Sequence, residues 1–131
     1  MEDNIKLEII SPERIFFSDD VKMVTLPSYE GDMSILKNHI SIITFLRPGI
    51  INVQKNEGNF EEFFVQDGTV EYFNDSLVIL SVSTINVKDI SKEFVDDLNK
   101  DTQEKLTNKN ITDHDRYILN RKLDVLKEIQ V

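Results

Sequence analysis

The chain has 131 residues and a net charge of −9, with 24 acidic and 15 basic residues and no cysteine. This length suits one domain with at most a small appendage, and the lack of thiols excludes disulfides and zinc–thiolate sites. The acidic balance argues against nucleic acid or anionic lipid as partners, because both are bound by clustered cations. The longest apolar run, 40–46, is too short to span a bilayer. No targeting peptide is recognisable at the N-terminus, so we expect a soluble protein that works where it is made.

Residues 1–87 are predicted to form an antiparallel β-sandwich of about 8–10 strands. They carry 14 acids and 6 bases, and short runs rich in β-branched and aromatic residues alternate there with turn signals. Two sheets must face each other to bury the apolar side chains of such runs. The predicted strands are Lys6–Ile10, Val21–Leu26, Asp32–Leu36, Ile40–Phe45, Ile50–Gln54, Glu61–Val65, Thr69–Phe73 and Leu77–Val82.

Glycine and asparagine mark the predicted turns between these strands. The segment Arg47-Pro48-Gly49-Ile50 suits a type II turn, in which Gly49 would take a positive φ. Two segments with a central glycine, 56–59 and 66–69, are typical of hairpin connections, and Asn74-Asp75 is expected to close another hairpin.

Residues 88–131 are predicted to form an antiparallel hairpin of two helices. They contain no Gly or Pro and carry 10 acids and 9 bases. Apolar residues recur there about every four positions, as on one face of a helix. The first stripe is Ile90, Phe94, Val95, Leu98, Thr102 and Leu106; the second is Ile118, Leu119, Leu123, Leu126 and Ile129. Residues 107–110 are expected to form the loop, with Thr112 as N-cap of the second helix.

The turn Glu30-Gly31-Asp32 is the first candidate site, with two carboxylates flanking a glycine. It permits an acid/base pair, part of a cation site, a contact for a protein partner, or a solvated turn in which Gly31 takes an unusual φ. No further carboxylate at ligand spacing supports a calcium loop. His39 lacks an accompanying nucleophile motif, which favours a structural or interface role over catalysis.

The second predicted helix carries the basic residues Arg116, Arg121 and Lys122, interleaved with acids. This pattern is typical of a solvated helix face. It would also allow docking against an acidic partner surface. The scattered glycines form no phosphate-binding loop.

Residues 5–88 resemble the epsilon subunit of the F-type ATP synthase in an ordered series of short motifs. The motifs are Ile9-Ile10-Ser11-Pro12-Glu13, Phe17-Ser18, Glu30-Gly31-Asp32, His39, Arg47-Pro48-Gly49-Ile50, Phe64–Glu71 and Leu77–Leu80. That family has an N-terminal β-sandwich followed by a two-helix hairpin. The same architecture is predicted independently from the residues above.

The resemblance implies a non-catalytic rotor subunit of the central stalk, because the catalytic residues of the enzyme lie in other chains. No metal or cofactor site is expected. Its partners would be the gamma subunit and the c-subunit ring, which Glu30, Gly31, Asp32 and His39 would contact. An extended hairpin would reach the catalytic beta subunits and inhibit ATP hydrolysis, with Arg116, Arg121 and Lys122 as contacts. The subunit would be peripheral on the cytoplasmic face of a bacterial inner membrane, held there by protein contacts.

The sequence departs from the family pattern in two places. The prolines usual around the histidine are missing from 37–41. Many bacterial relatives also carry an Asp and an Arg-Ala pair that help to bind ATP, and the matching positions here are Ser91, Phe94 and Val95. Because the arginine that would pair with phosphate is absent, we expect no high-affinity ATP binding.

Two other interpretations stay open at this point. One is an unrelated β-sandwich interaction module with a helical tail. The other is a small hydrolase that uses His39 with Glu30 or Asp32, which requires these side chains to meet in a pocket.

Overall fold

The computed structural model describes residues 3–56 and 58–129. Within these ranges ten strands precede two helices. The strands are β1 Ile5–Ile10, β2 Ile15–Val21, β3 Met23–Ser28, β4 Gly31–Ile35, β5 Ile42–Leu46, β6 Gly49–Asn56, β7 Asn59–Val65, β8 Gly68–Phe73, β9 Ser76–Leu80 and β10 Ile85–Asn86. A single 3₁₀ turn, Val87–Asp89, leads into α1 Lys92–Leu106 and α2 Asp113–Glu128.

The strands form one continuous sheet that curls over on itself, in the order β10-β7-β6-β3-β5-β8-β9-β1-β2, with β4 paired to β3 outside this path. Strand β3 connects the two layers, because its first residues pair with β6 whereas Ser28 pairs with Leu46 of β5. Every pairing is antiparallel except that of β1 with β9. An ion pair of 3.4 Å between Asp19 of β2 and Lys55 of β6 joins the two layers where β2, the last strand of the sheet, lies near β6 without pairing with it.

The main hydrophobic core lies between the two layers. In β1 the side chains of Ile5, Leu7 and Ile9 point inward, as the period of two in a half-buried strand requires. Tyr72 and Phe63 are the largest side chains of this core. Burial of this apolar set is the dominant stabilising term for the sandwich.

A second hydrophobic cluster lies between the helices and the outer face of β6 and β7. Ile50 and Phe64 are cross-strand partners that point away from the main core and pack against the hairpin. The helices contribute Phe94 and Leu126 from the two stripes, together with Val125, which the predicted stripes do not include. The predicted β-sandwich followed by a two-helix hairpin is confirmed.

The loop after α1 and the N-cap of α2 lie where the sequence predicts. The Thr112 hydroxyl accepts a hydrogen bond of 3.0 Å from the backbone N–H of Asp115, so Thr112 is the N-cap of α2 as predicted. Thr102 of the first stripe is fully buried, and its hydroxyl donates to the Leu98 carbonyl over 2.7 Å.

Three local predictions are wrong. The predicted strand Val21–Leu26 spans the junction of β2 and β3, and β2 itself was missed because Ser18, Asp19 and Asp20 have the composition of a turn. The segment 66–69 is not a hairpin, since β7 and β8 are not neighbours in the sheet. The chain crosses there from one layer to the other.

Gly49 does not take the positive φ that a type II turn at 47–50 requires. It is instead the first residue of β6, and a Cβ placed there would lie 2.5 Å from the Cβ of Pro27. Glycine is therefore needed at this position for close packing. By contrast Asn74 and Asp75 both have positive φ, and the hairpin predicted there is confirmed.

Candidate functional site

The Glu30-Gly31-Asp32 turn joins β3 to β4. Gly31 has a φ of +116°, which confirms the unusual backbone predicted for it. The Glu30 carboxylate accepts a hydrogen bond of 2.9 Å from the hydroxyl of Thr44 in β5, and the Glu30 N–H donates to the Ser28 hydroxyl. Asp32 points outward and lies 3.8 Å from the Arg47 guanidinium. These contacts hold the turn rigidly. The Glu30 carboxylate is fixed by hydrogen bonds, whereas the Asp32 carboxylate is exposed at the surface.

His39 lies in the loop before β5, on a network of hydrogen bonds. Its Nδ1 is 2.7 Å from the carbonyl of Ile40, and because a carbonyl only accepts, Nδ1 carries the proton. The imidazole edge packs on the ring of Tyr72, with 5.6 Å between centroids. The Asp75 carboxylate accepts from the Asn38 N–H at 2.9 Å and from the Tyr72 hydroxyl at 2.7 Å. These two bonds, the first more than the second, lower the pKa of Asp75.

The structure does not bring these two candidate sites together. The Glu30 turn lies beside the C-terminal half of β5, whereas the His39 ring packs on the residue that pairs with Ile42 at the start of that strand. Within the described ranges, no hydrogen bond or ion pair joins His39 to Glu30 or Asp32. The arrangement that a His39-based hydrolase requires is not formed. Residues 3–56 and 58–129 also contain no cluster of three or more metal-ligating side chains.

An exposed apolar face on β5, β8 and β9 was not predicted from the sequence. Ile43, Phe45, Phe73 and Leu80 are 72%, 58%, 66% and 50% exposed, respectively. The register places Phe45, Thr69 and Leu80 side by side across the three strands, so these side chains share the outer surface of one layer. We call Ile43, Phe45, Phe73 and Leu80 the apolar face.

A signal for this face was present in the strand Ile-Ile-Thr-Phe-Leu at 42–46. Large apolar residues occupy both alternating sets of positions, although only Thr44 and Leu46 are buried. An open groove of about 900 Å³ continues from Phe45 and Leu80 toward Val82 and Pro12. Tyr29 and His114 also line this groove.

The hairpin is attached to the sandwich by polar as well as apolar contacts. The Arg47 guanidinium donates a hydrogen bond of 2.8 Å to the Tyr117 hydroxyl of α2. The ring of Tyr29 stacks on the imidazole of His114, with 5.9 Å between centroids. Tyr29 directly precedes the Glu30-Gly31-Asp32 turn in sequence, and Arg47 is the ion-pair partner of Asp32. The turn and α2 are therefore neighbours.

The three basic residues predicted to make helix contacts lie in different environments. Arg116 is exposed, as a solvated helix face predicts. Arg121 is half-buried close to Gly49, and its Nε has no hydrogen-bond partner in the described part of the chain. Lys122 is buried. A solvated face therefore does not describe Arg121 and Lys122 while the hairpin is docked.

Comparison with known proteins identifies the family. The sequence profile of "ATP synthase, Delta/Epsilon chain, beta-sandwich domain" matches residues 4–87. The ATP synthase epsilon chain of Pelagibacter ubique is 43% identical over 130 residues, which cover 98% of this chain and 99% of the relative. The chain belongs to the ATP synthase delta/epsilon chain family. This membership confirms the predicted family and excludes an unrelated interaction module.

A further relative and two solved structures extend the likeness. The epsilon chain of Parvibaculum lavamentivorans is 33% identical, with 99% of this chain and 98% of the relative covered. A chain in the mitochondrial ATP synthase of Euglena gracilis superposes with a TM-score of 0.73 at 18% identity, covering 95% of this chain and 78% of that one. A chain in the central stalk and c-ring of the Tetrahymena thermophila enzyme superposes with a TM-score of 0.64 at 12% identity, covering 94% and 93%. At such identities the two superpositions show a shared fold.

Ser91, Phe94 and Val95, where the resemblance would lead one to expect nucleotide-binding residues, have structural roles at the start of α1. The Ser91 hydroxyl accepts a hydrogen bond of 3.0 Å from the Phe94 N–H and caps α1. The Phe94 ring packs edge-on against Phe64, with 6.4 Å between centroids, and Val95 joins the same cluster. Neither α1 nor α2 has the length and hydropathy of a membrane-spanning helix, and the described ranges contain no other candidate.

Proposed function

We propose that the chain is a non-catalytic rotor subunit of a bacterial F-type ATP synthase, which couples rotation of the c-subunit ring to ATP synthesis. Membership of the delta/epsilon chain family supports this role. The assemblies named for the Euglena and Tetrahymena structures, which contain F1, a central stalk or a c-ring, agree with it. The observation that carries the proposal is the apolar face, because a sandwich that works alone would not leave four large apolar side chains on one outer surface.

The gamma subunit is the partner that we assign to the apolar face. Burial of aromatic and aliphatic side chains at the centre of an interface supplies most of its binding energy. Carboxylates of Glu8 and Glu71 lie among the apolar residues in the register of the strands. They favour a partner with an apolar centre and basic side chains beside it. His39 borders this face next to Ile40, which is also exposed, so we place His39 in the gamma contact.

The c-subunit ring is the partner that we assign to the Glu30-Gly31-Asp32 turn. Thr44 and Ser28 anchor the Glu30 carboxylate, so the turn resists shear when torque acts on it. Asp32 projects outward and can pair with basic residues in the polar loops of a ring. These contacts would hold the subunit on the cytoplasmic face of the bacterial inner membrane without direct insertion into lipid.

The basic residues of α2 are the contacts that we assign to the catalytic beta subunits. This assignment requires the hairpin to undock from the sandwich. In the docked hairpin Arg121 and Lys122 are covered, and Arg116 alone of the three is exposed. Contacts of all three with an acidic surface, and the inhibition of ATP hydrolysis that would follow, therefore require the hairpin to leave the sandwich.

Substitution of Phe45 tests the proposal in a binding assay with purified gamma subunit. Phe45→Asp places a charge in the centre of the apolar face and should weaken binding by at least about tenfold. Phe60→Asp is the matched control, because Phe60 is 52% exposed but lies on β7, outside the face. The wild type and the Phe60 variant should bind alike. Equal binding by the Phe45 variant would contradict the assignment of this face.

A further inference from the structure

The loop between β4 and β5, residues 36–41, carries His39 at the surface of the sandwich. Leu36 and Ile40 of this loop are 47% and 78% exposed. The loop contains no proline, and Asn38 has a φ of +68°. A residue other than glycine keeps such a left-handed backbone only where its surroundings fix it. The conformation of this exposed loop therefore depends on contacts from other parts of the chain.

The side chain of Asp75 supplies these contacts from the β8–β9 turn, 37 residues further along the chain. Its Oδ1 atom accepts a hydrogen bond of 2.9 Å from the Asn38 N–H and one of 2.7 Å from the Tyr72 hydroxyl. The same hydroxyl lies 3.4 Å from the Leu36 carbonyl, and the His39 imidazole packs edge-on against the Tyr72 ring. Asp75 and Tyr72 together thus contact three of the first four residues of the loop.

The backbone of Asp75 is itself fixed. Asn74 and Asp75 are the two central residues of the β8–β9 turn, and their φ values of +51° and +61° suit a type I′ turn. The Asp75 carbonyl accepts a hydrogen bond of 3.0 Å from the Lys6 N–H, which ties the turn to the start of β1. The Asn38 bond, and then the Tyr72 bond, lower the pKa of Asp75. The carboxylate is therefore charged at neutral pH, and a charged acceptor makes stronger hydrogen bonds than a neutral one.

We propose that Asp75 is a positioning residue, which holds the loop 36–41 in the conformation in which His39 and Ile40 meet the gamma subunit. This inference rests on the proposed function, which places His39 in the gamma contact. A loop that is ordered before binding loses little conformational freedom when the partner arrives. A loop that moves among several conformations binds more weakly, in proportion to the time that it spends in the competent one. Asp75 acts through Asn38 and Tyr72.

Asp75→Gly is the variant that isolates the carboxylate. Glycine takes a positive φ without strain, and Asn-Gly is a favoured type I′ pair, so the β8–β9 hairpin should stay intact. Asn74→Gly is the matched control, because it changes the other central residue of the same turn and leaves the carboxylate in place. Asp75→Asn is the conservative variant, since its amide oxygen can still accept both hydrogen bonds.

Amide hydrogen exchange of the full chain, followed by NMR, tests the loop without any partner. The Asn38 amide should exchange at least about tenfold faster in Asp75→Gly than in the wild type, because its acceptor is removed. The amides of β8 and β9 should be unchanged. Asn74→Gly should behave as the wild type, and Asp75→Asn should restore most of the protection. Unchanged exchange of Asn38 in Asp75→Gly, or faster exchange throughout β8 and β9, would overturn the proposal.

Binding kinetics with purified gamma subunit separate positioning from direct contact. Asp75→Gly should lower the association rate constant roughly three- to tenfold and leave the dissociation rate constant nearly unchanged, because fewer molecules are competent to bind while the contacts in the complex remain. Asp75→Asn should recover most of the wild-type association rate. Equal association rates for Asp75→Gly and the wild type, or an effect confined to dissociation, would contradict a positioning role.

These outcomes are distinct from those of the binding test on Phe45. If Phe45→Asp bound gamma as the wild type does, the apolar face would not be the contact. Slower association of Asp75→Gly would in that case still show that gamma meets the His39 loop. Conversely, weak binding by Phe45→Asp together with normal association of Asp75→Gly would support the assignment of the apolar face and overturn the role of Asp75.

Discussion

The two outer faces of the sandwich carry similar apolar residues but differ in what covers them. On β6 and β7, Ile50 and Phe64 lie beneath the helices of the same chain. On β5, β8 and β9 the apolar face is not covered by any part of the chain within the described ranges. The first face is buried by the helices when the chain folds. The second is the face that we assign to a partner. Apolar residues in the strands therefore did not by themselves distinguish structure from function.

The largest difference between the two faces should appear in stability. Phe64→Ala removes a fully buried ring and should lower the free energy of unfolding by about 3–5 kcal/mol. Phe45→Ala removes an exposed ring and should change it by no more than about 0.5 kcal/mol. Urea unfolding of the two variants measures both values. A cost for Phe45→Ala close to that of Phe64→Ala would mean that the apolar face is part of the folded core.

A smaller effect is expected at Gly49, beside the covered face. Gly49→Ala would bring a Cβ to 2.5 Å from the Pro27 side chain and should cost about 1–3 kcal/mol through overpacking. The same substitution in a Pro27→Gly background should cost less, because both contacting atoms of Pro27, Cβ and Cγ, are removed. Urea unfolding of the four chains in this double-mutant cycle gives the coupling. Additive costs would show that the two residues do not clash.

The smallest effect, no change in melting temperature, is expected when ATP is added to the isolated protein. Since Ser91, Phe94 and Val95 cap or pack α1, there is no arginine at these positions for the phosphates. Millimolar ATP should therefore leave the melting temperature of the isolated protein unchanged. A ligand that bound the folded state would raise it, so a clear rise would show that other residues provide a nucleotide site.

Elements with a strong local signal could be predicted from the sequence. The apolar stripes and Thr112 gave the helices and their loop, and Asn74-Asp75 gave a hairpin, because caps and turns depend on a few adjacent residues. The position of Gly49 against Pro27 and the crossover at 66–69 depend on residues far apart in sequence. No local pattern contains that information.

The candidate site was predictable in part for the same reason. The Glu30-Gly31-Asp32 turn is a local feature, and its backbone is as predicted. The separation of His39 from this turn, the burial of Lys122 and the exposure of Phe45 result from how the layers and the hairpin pack. In the strand 42–46 the sequence shows apolar residues on both faces without showing which face the rest of the chain covers.

Side-chain footprinting of the assembled ATP synthase tests the central claim most directly. Hydroxyl radicals label exposed aromatic rings, and the labelling of Phe45 and Phe73 can be compared between the free subunit and the whole complex. The account predicts that both rings are labelled in the free subunit and protected in the complex, whereas Phe60 is labelled in both. If Phe45 and Phe73 were labelled equally in the free and assembled states, no partner would cover the apolar face.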